Sequence, residues 1–166
     1  MNGSVIRRVV GYVLTLEALL LLLPCIVALY YNEQEGYAYL ASSAICLVLG
    51  GAMSLKKPKS NVFYLKEGCV ATALSWIVLS VFGAIPFVLT GEIPHFVDAL
   101  FETVSGFTTT GASILSDVET LANCTLFWRS FTHWIGGMGV LVFILAMIPL
   151  LSLIHISEPT RRVVIS

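Results

Sequence analysis

A row of three threonines and a glycine stands in a short polar segment between long apolar stretches, at Thr108, Thr109, Thr110 and Gly111. Polar backbone at membrane depth is tolerated only where protein buries it or where it lines a watery path. Consecutive backbone carbonyls can replace the hydration shell of K⁺, and a glycine adopts conformations that turn its carbonyl toward an axis. We therefore interpret the segment as a candidate cation filter, with the carbonyls of Thr109, Thr110 and Gly111 as K⁺ ligands.

Composition places the chain in a membrane. Hydrophobic residues make up 57% of the 166 residues and charged residues only 11%, whereas a soluble domain typically carries about 25% charged residues. The sequence has no nucleophile–base pair, phosphate-binding motif or metal-ligand spacing, so we expect neither an enzyme nor a cofactor. The net charge of −1 is uninformative about partners, and we expect the lipid bilayer, but no nucleic acid, among them.

Two apolar stretches near the N-terminus are each long enough to cross a bilayer, which takes about 20 mostly apolar residues. They cover residues 9–31 and 37–55. The second is rich in Ala, Ser and Gly, which favours close packing against other helices. A basic linker with Pro58 follows. We place the main boundary there, so that residues 1–60 form an N-terminal transmembrane helix pair.

The next part of the chain predicts a different arrangement. Residues 68–89 form a third span, interrupted late by a glycine and a proline, and residues 126–151 form the last long helix. The apolar stretch 96–104 between them is roughly half as long as a span, which favours a re-entrant half-helix. Without that half-helix, the Thr/Gly string would suit an ordinary turn equally well. We predict an all-α membrane protein in which one helix–pore-loop–helix repeat, residues 61–151, follows the N-terminal pair.

Charged residues orient this scheme. The basic residues other than Arg129 fall before the first span, between the second and third, and after the last: Arg7, Arg8, Lys56, Lys57, Lys59, Lys66, Arg161 and Arg162. By the positive-inside rule the N-terminus is cytoplasmic, and the re-entrant segment enters from the outside. The acids gather at the outer face: Glu33, Glu35, Glu92, Asp98, Glu102, Asp117 and Glu119. Such a field concentrates cations at a pore mouth, although solvated loop residues would give the same pattern.

Several residues around the loop have two interpretations each. Asp98 and Glu102 lie on the half-helix and are candidates for the pore mouth. Arg129, near the outer end of the last helix, could pair with either acid and brace the half-helix, or could tune cation entry. We prefer the bracing role.

Small and ionisable residues in the helices are also open to two interpretations. Gly136, Gly137 and Gly139 could allow close packing behind the loop or form a gating hinge, and we favour packing. Glu17 interrupts the first apolar helix. An ionisable residue there is by default a functional candidate, but we favour snorkelling or an inter-helix hydrogen bond.

A family resemblance rests on these segments. Residues 105–113, SGFTTTGAS, resemble the first pore loop of the TrkH/KtrB family of bacterial potassium-uptake proteins. Residues 66–86 resemble that family's helix before the loop, and residues 127–139 resemble the helix after it. The first two spans resemble its extra N-terminal helix pair. The resemblance covers about residues 5–151, in the family's order.

The resemblance implies a function and partners. Family members carry four helix–pore–helix repeats around a K⁺ pore, each with a key glycine that corresponds here to Gly111. They transport K⁺, with H⁺ or Na⁺ coupling proposed in some cases. The resemblance further implies a multi-pass protein of the bacterial inner membrane that forms a homodimer. A cytosolic nucleotide-binding regulatory subunit of the TrkA type would gate that dimer.

The chain departs from the family pattern in one respect. It contains only the first of four repeats, and a ring of carbonyls needs four loops. Residues 152–166 fit neither a helix nor the family, so we expect them to be a non-family tail that arose as a truncation artefact. The remainder would be the N-terminal part of a TrkH-type subunit. Two alternatives stay open: a complete small subunit that assembles four copies around one K⁺ pore, and a non-conducting membrane scaffold protein.

Overall fold

The computed structural model describes residues 3–55 and 65–156, and within these ranges the chain is helical with no strand. The helices are α1 (Gly3–Leu20), α2 (Leu22–Tyr31), α3 (Gly36–Leu55), α4 (Leu65–Thr90), α5 (Phe96–Phe107) and α6 (Asn123–Ile156). In these ranges three helical stretches are long and apolar enough to cross a membrane, namely Gly3–Tyr31, Gly36–Leu55 and Glu67–Thr90. The predicted all-α membrane fold is therefore confirmed.

α1 and α2 form one span with a local break at Leu21. Pro24 has no N–H to bond the carbonyl of Leu20, which is the usual reason for such a break. The N–H of Leu21 still donates to the carbonyl of Glu17 at 2.9 Å, so the axis continues. The predicted first span therefore exists, with its break one turn before the proline.

α1 packs closely against α3, as the small residues of the second span predicted. A Cβ on Gly50 would lie 2.8 Å from the backbone nitrogen of Thr15 and 2.9 Å from the carbonyl oxygen of Gly11. The hydroxyl of Ser43 donates to the carbonyl of Ala18 at 2.7 Å. Glycines at the contact allow the two backbones to approach this closely.

α4 continues unbroken through Gly83 and Pro86 to Thr90, so the expected late interruption is wrong. A proline in a membrane helix removes one backbone donor, and neighbouring helices can hold the segment in place. Here the indole N–H of Trp128 donates to the carbonyl of Gly83 at 3.0 Å. A Cβ on Gly83 would lie 3.0 Å from Cγ2 of Thr103 in α5, so α5 and α6 both pack against this part of α4.

α5 is a half-length helix that ends inside the bundle. Its 12 residues span about 18 Å, well short of the roughly 30 Å hydrocarbon core. Its last residue, Phe107, lies against Gly136, where a Cβ would overlap the Phe107 carbonyl. Gly136 is about 20 Å along α6 from the start of that helix at Asn123. The C-terminus of α5 therefore lies deep between α4 and α6.

Residues 108–122, which we name the return loop, carry the chain back to the end of the bundle where α5 began. The N–H of Ala122 donates to Oε1 of Glu92 at 2.6 Å, and Glu92 lies in the turn between α4 and α5. The entry to α5 and the exit from the return loop are therefore at the same end. A re-entrant path through a membrane, which the short apolar stretch predicted, would bring the chain back in this way and stays a prediction.

Several helix boundaries differ from the sequence expectation, among them those of α5 and α6. α5 ends at Phe107 instead of residue 104, because Gly106 continues the helix and packs against Thr132, where a Cβ would not fit. α6 begins at Asn123 instead of residue 126 and continues past residue 151 to Ile156. The basic linker 56–61 and the rest of the predicted tail, 157–166, lie outside the described residues.

Candidate cation-binding loop

The return loop begins with a left-handed turn at the end of α5. The N–H of Thr110 donates to the carbonyl of Ser105, and the N–H of Thr109 donates to that of Gly106, both at 2.9 Å. This pair of bonds is the Schellman pattern, which normally has glycine at the left-handed position. Thr109 occupies that position with φ 57°. A β-branched residue there is a backbone outlier, and such strain concentrates at functional sites.

The backbone after this turn exposes carbonyls that the protein does not use. Within the described residues, no hydrogen bond ends on the carbonyl of Thr109, Thr110 or Gly111, and these residues are exposed. Gly111 has φ 75°, and a Cβ there would have no atom within 4 Å. Because Thr109 and Gly111 both have positive φ, the segment is not uniformly extended.

The threonine hydroxyls bond locally. Thr108 Oγ1 lies 2.8 Å from Thr110 Oγ1 and donates to the carbonyl of Val104 at 2.7 Å. Thr109 Oγ1 lies 2.7 Å from the carbonyl oxygen of Thr108, to which it donates. These bonds hold the turn. The negative end of the α5 dipole points at the same residues, which favours a cation there.

A buried carboxylate ties the return loop to α5. Glu102 is 1% exposed, and its Oε1 lies 2.5 Å from Nε of Arg129. It also accepts hydrogen bonds from the hydroxyl of Ser113 and the N–H of Ile114, each at 3.1 Å. Arg129 therefore pairs with Glu102. In the part of the chain that the structure describes, Asp98 has no ion pair and is only partly buried.

Ser105 provides a second tether. Its hydroxyl donates to the carbonyl of Ala112 at 2.5 Å, which joins the last turn of α5 to the residue after Gly111. Neither Ser105 nor Ser113 was predicted from the sequence as a structural residue. The sequence feature that could have identified them is their position, because one serine lies on each side of the Thr/Gly string.

Two of the three α6 glycines make close packing contacts. A Cβ on Gly136 would overlap the backbone of Phe107, and a Cβ on Gly139 would lie 3.1 Å from the ring of Trp76. Gly137 is looser, with Cγ2 of Thr109 at 4.0 Å. These contacts agree with the packing interpretation, and the hinge role of the same glycines stays a prediction.

Carboxylates from two distant turns cap the start of α6. Glu33 accepts bonds from the N–H of Asn123 at 2.8 Å and of Cys124 at 3.0 Å, and Glu92 accepts from Ala122. Partial burial opposes ionisation of Glu33, but the bonds from Cys124 and Asn123 outweigh it and lower the pKa of the carboxyl. An acid at a helix N-terminus accepts hydrogen bonds from the free N–H groups and interacts favourably with the helix dipole. Glu33 therefore caps α6, whereas the sequence suggested a charge at the pore mouth or a solvated loop residue.

The described residues contain no group of three His, Cys, Asp or Glu side chains that could hold a metal ion. A cation at the return loop would therefore be held by oxygen atoms of the backbone and hydroxyls. Taken together, the spans and the half-length helix define an integral membrane protein. In it, the half-length helix and the return loop lie between the long helices α4 and α6.

The chain belongs to the TrkH family: residues 35–156 match the family model "TrkH: Cation transport protein". The match includes residues 152–156 of the predicted tail. Among similar proteins, an uncharacterized cation transporter of Methanocaldococcus jannaschii is 38% identical over 82% of this chain and 29% of its own length. The potassium uptake protein TrkG of Escherichia coli is 37% identical over 92% of this chain and 33% of its own.

A solved structure agrees with the family assignment. The crystal structure of the potassium transporter TrkH from Vibrio parahaemolyticus superposes with a TM-score of 0.82 and 32% identity, over 90% of this chain and 32% of that one. The chain thus spans about a third of the length of the curated relatives that it matches.

Proposed function

We propose that this chain supplies one helix–loop–helix unit of a membrane protein that transports K⁺. In this proposal the carbonyls of Thr109, Thr110 and Gly111 are one side of its selectivity filter. The observation that carries it is that these carbonyls accept no bond from the described residues while the segment around them is firmly tied. Exposed carbonyl oxygens without internal partners are suited to replacing the water of a dehydrated cation.

Electrostatics around the loop support a cation over an anion. α5 ends at the loop with no basic residue in its last turn, so its carbonyl end presents partial negative charge. The nearby positive charge of Arg129 is paired with the carboxylate of Glu102. Asp98 and Glu102 are proposed to shape the potential of the pore mouth, with Glu102 also holding the loop.

A filter that encloses K⁺ needs carbonyls from several sides, and this chain provides one loop. The proposal is that it acts as the N-terminal part of a TrkH-type uptake subunit, in which further loops complete the ring. Coupling to H⁺ or Na⁺, a homodimer and a cytosolic nucleotide-binding partner of the TrkA type belong to the same proposal. They rest on the family resemblance.

The proposed location is the inner membrane of a bacterium, with the N-terminus in the cytoplasm. The positive-inside rule supports this orientation, and Glu33 and Glu92 lie together at the opposite end, at the start of α6. The expected division into residues 1–60, 61–151 and 152–166 also stays a proposal, although α6 and the family match continue to residue 156. In a variant without native cysteines, Asn32→Cys should react with an impermeant thiol reagent from outside, and Lys57→Cys should not. Outside labelling of Lys57→Cys would reverse the orientation.

Complementation tests the function. The matching third of Escherichia coli TrkG is replaced by this chain, and the hybrid is expressed in a strain that lacks K⁺ uptake. We expect the hybrid to restore growth at low K⁺ and the chain alone to fail, because one loop cannot enclose an ion. Rescue by the chain alone would favour four copies around one pore. A well-expressed hybrid that does not transport would favour a scaffold.

A further inference from the structure

One buried ionisable group takes no part in the return loop. Glu17 lies in α1 and is 1% exposed, and neither of its carboxyl oxygens accepts a hydrogen bond from any described residue. The expectations of snorkelling and of an inter-helix hydrogen bond are therefore both wrong. The side chain points into the bundle toward α4, where a Cβ on Gly83 would lie 3.2 Å from Glu17 Oε1.

Glu17 lines a cavity of about 310 Å³ between α1, α4, α5 and α6. Most of the lining is apolar, including Trp76 and Phe107, but Thr72 and Ser75 add hydroxyls. Each hydroxyl donates within α4, to Gly68 and Ala71 respectively, and keeps the ability to accept. The cavity is large enough for water, and Glu17 with these two hydroxyls would be the polar groups that hold it.

The residues that face Glu17 from the surrounding helices offer no compensating positive charge. From α3, the thiol of Cys46 lies close enough to interact with it electrostatically. From α4 the facing residue is Gly83, and α6 presents the indole of Trp128. Thr103 and Phe107 of α5 meet the same glycine, and neither is ionisable.

The arginines among the described residues are also unsuited to pair with Glu17. Arg129, next to Trp128, is paired with Glu102. Arg7 and Arg8 are on α1 itself, about 13–15 Å away along the helix. A charged carboxylate without a cation is costly at membrane depth, whereas a carboxylic acid is tolerated.

We propose that Glu17 is a proton-binding site. One carboxylate oxygen takes up a proton from water that enters the cavity, and releases it to water by the same path. The ligand is the proton, because the described surroundings provide a single carboxylate and no further anionic group for a metal cation. The inference does not depend on K⁺ binding at the return loop.

The position of Glu17 links its protonation to the packing of α5. Glu17 Oε1, Thr103 Cγ2 and the ring of Phe107 all converge on Gly83, so the carboxyl lies behind the half-helix that carries the return loop. A charge that appears there on deprotonation draws water or polar groups into the contact. Proton binding therefore favours the packed position of α5 that the structure shows.

Infrared spectroscopy of the full chain in lipid vesicles tests the proposal. A protonated carboxylic acid has a C=O stretching band distinct from that of a carboxylate, and the band shifts when its proton is exchanged for deuterium. Because burial favours the neutral form, we expect such a band at acidic pH, a shift in D₂O, and a loss at alkaline pH. Glu17→Gln should remove the band, and it keeps nearly the same shape as the native side chain.

Two variants sharpen the test. Glu119→Gln changes an exposed acid of the return loop and should leave the band intact. Gly83→Ala places a methyl group against the carboxyl and should shift the band. The proposal is overturned if Glu17→Gln removes no band, or if the Glu17 band neither titrates nor exchanges between mildly acidic and mildly alkaline pH.

Discussion

The two halves of the return loop are held in different ways. Among the described residues, 108–111 bond only to each other and to the last turn of α5, and they leave carbonyls open. Residues 112–122 are tied to α5 and to the turn before it by Ser105, Glu102 and Glu92. The first half therefore has carbonyl oxygens available to a ligand, and the second half fixes the position of the first half.

This difference explains how an unusual backbone persists. A β-branched residue with positive φ is unfavourable, and an unpaired carbonyl becomes unfavourable wherever water is excluded. They survive where the surroundings fix the chain on both sides. Here α5 fixes one side, and the buried carboxylate of Glu102 fixes the other. Loss of the contacts that hold the second half should therefore lower the stability of the protein. Substitutions in the first half should change ion binding.

Removal of Glu102 should have the largest effect on stability. Glu102→Ala leaves Arg129 without its partner and releases Ser113 and Ile114. Breaking a buried ion pair from one side typically costs about 3–5 kcal/mol. Because Arg129 is partly exposed, we expect a cost of about 3 kcal/mol here. Thermal unfolding in detergent measures the loss.

The matched control for Glu102→Ala is Asp98→Ala. It removes an acid one turn earlier on α5 that has no ion pair among the described residues. We expect a much smaller change for the control. Equal effects of the two variants would mean that the second half of the loop is not held by Glu102.

Gly136→Ala should have the next largest effect, because its methyl group would overlap the backbone of Phe107. Overpacking of this kind costs about 1–3 kcal/mol, and it would displace the start of the return loop. Gly137→Ala is the control on the same helix, since its nearest neighbour is 4.0 Å away. If Gly137→Ala destabilises as much in thermal unfolding, the packing contact at Gly136 is not the cause.

The cap at α6 should contribute least. Glu33→Gln removes a charged acceptor of the helix N-terminus, worth about 1 kcal/mol. Because the folded-state pKa of Glu33 is lowered, its contribution is fully present above the ordinary value of 4.5 and is lost as the pH falls through the folded pKa. Unfolding measured from neutral to acidic pH should show this loss in the native protein and not in Glu33→Gln. A pH dependence that is the same in both would contradict it.

Length and composition were sufficient to predict the N-terminal spans and the half-length helix α5, because a bilayer fixes how long an apolar helix must be. They were insufficient for Gly83 and Pro86, which looked like an interruption but lie within a continuous helix. The contact that supports them comes from Trp128, far away in the sequence. Local sequence does not contain that information.

Parts of the candidate site were predicted from the sequence and other parts were not, for a similar reason. The Thr/Gly string marked the open carbonyls, and the two acids of α5 were the candidates for the Arg129 partner. The choice of Glu102 over Asp98 depends on which face of the helix meets α6. The caps from Glu33 and Glu92 join turns that are widely separated in sequence. Charge placement alone could not distinguish a cap from a charge at a pore mouth.

The central claim is that the first half of the return loop binds K⁺ through its carbonyls. Gly111 and Gly91 allow a direct test, because both are exposed, both have positive φ (75° and 79°), and a Cβ at either would meet nothing within 4 Å. Serine at each position therefore imposes a similar backbone cost, about 1 kcal/mol, and only Gly111 lies in the proposed filter. The measurement is K⁺ and Na⁺ uptake by the TrkG hybrid that contains each variant, at matched protein levels.

We expect Gly111→Ser to weaken the apparent affinity for K⁺ or to reduce selectivity over Na⁺, because displaced carbonyls no longer match a dehydrated K⁺. Gly91→Ser should transport as the unmodified hybrid does. Unchanged K⁺ affinity and selectivity in Gly111→Ser would contradict the claim that this loop is the filter.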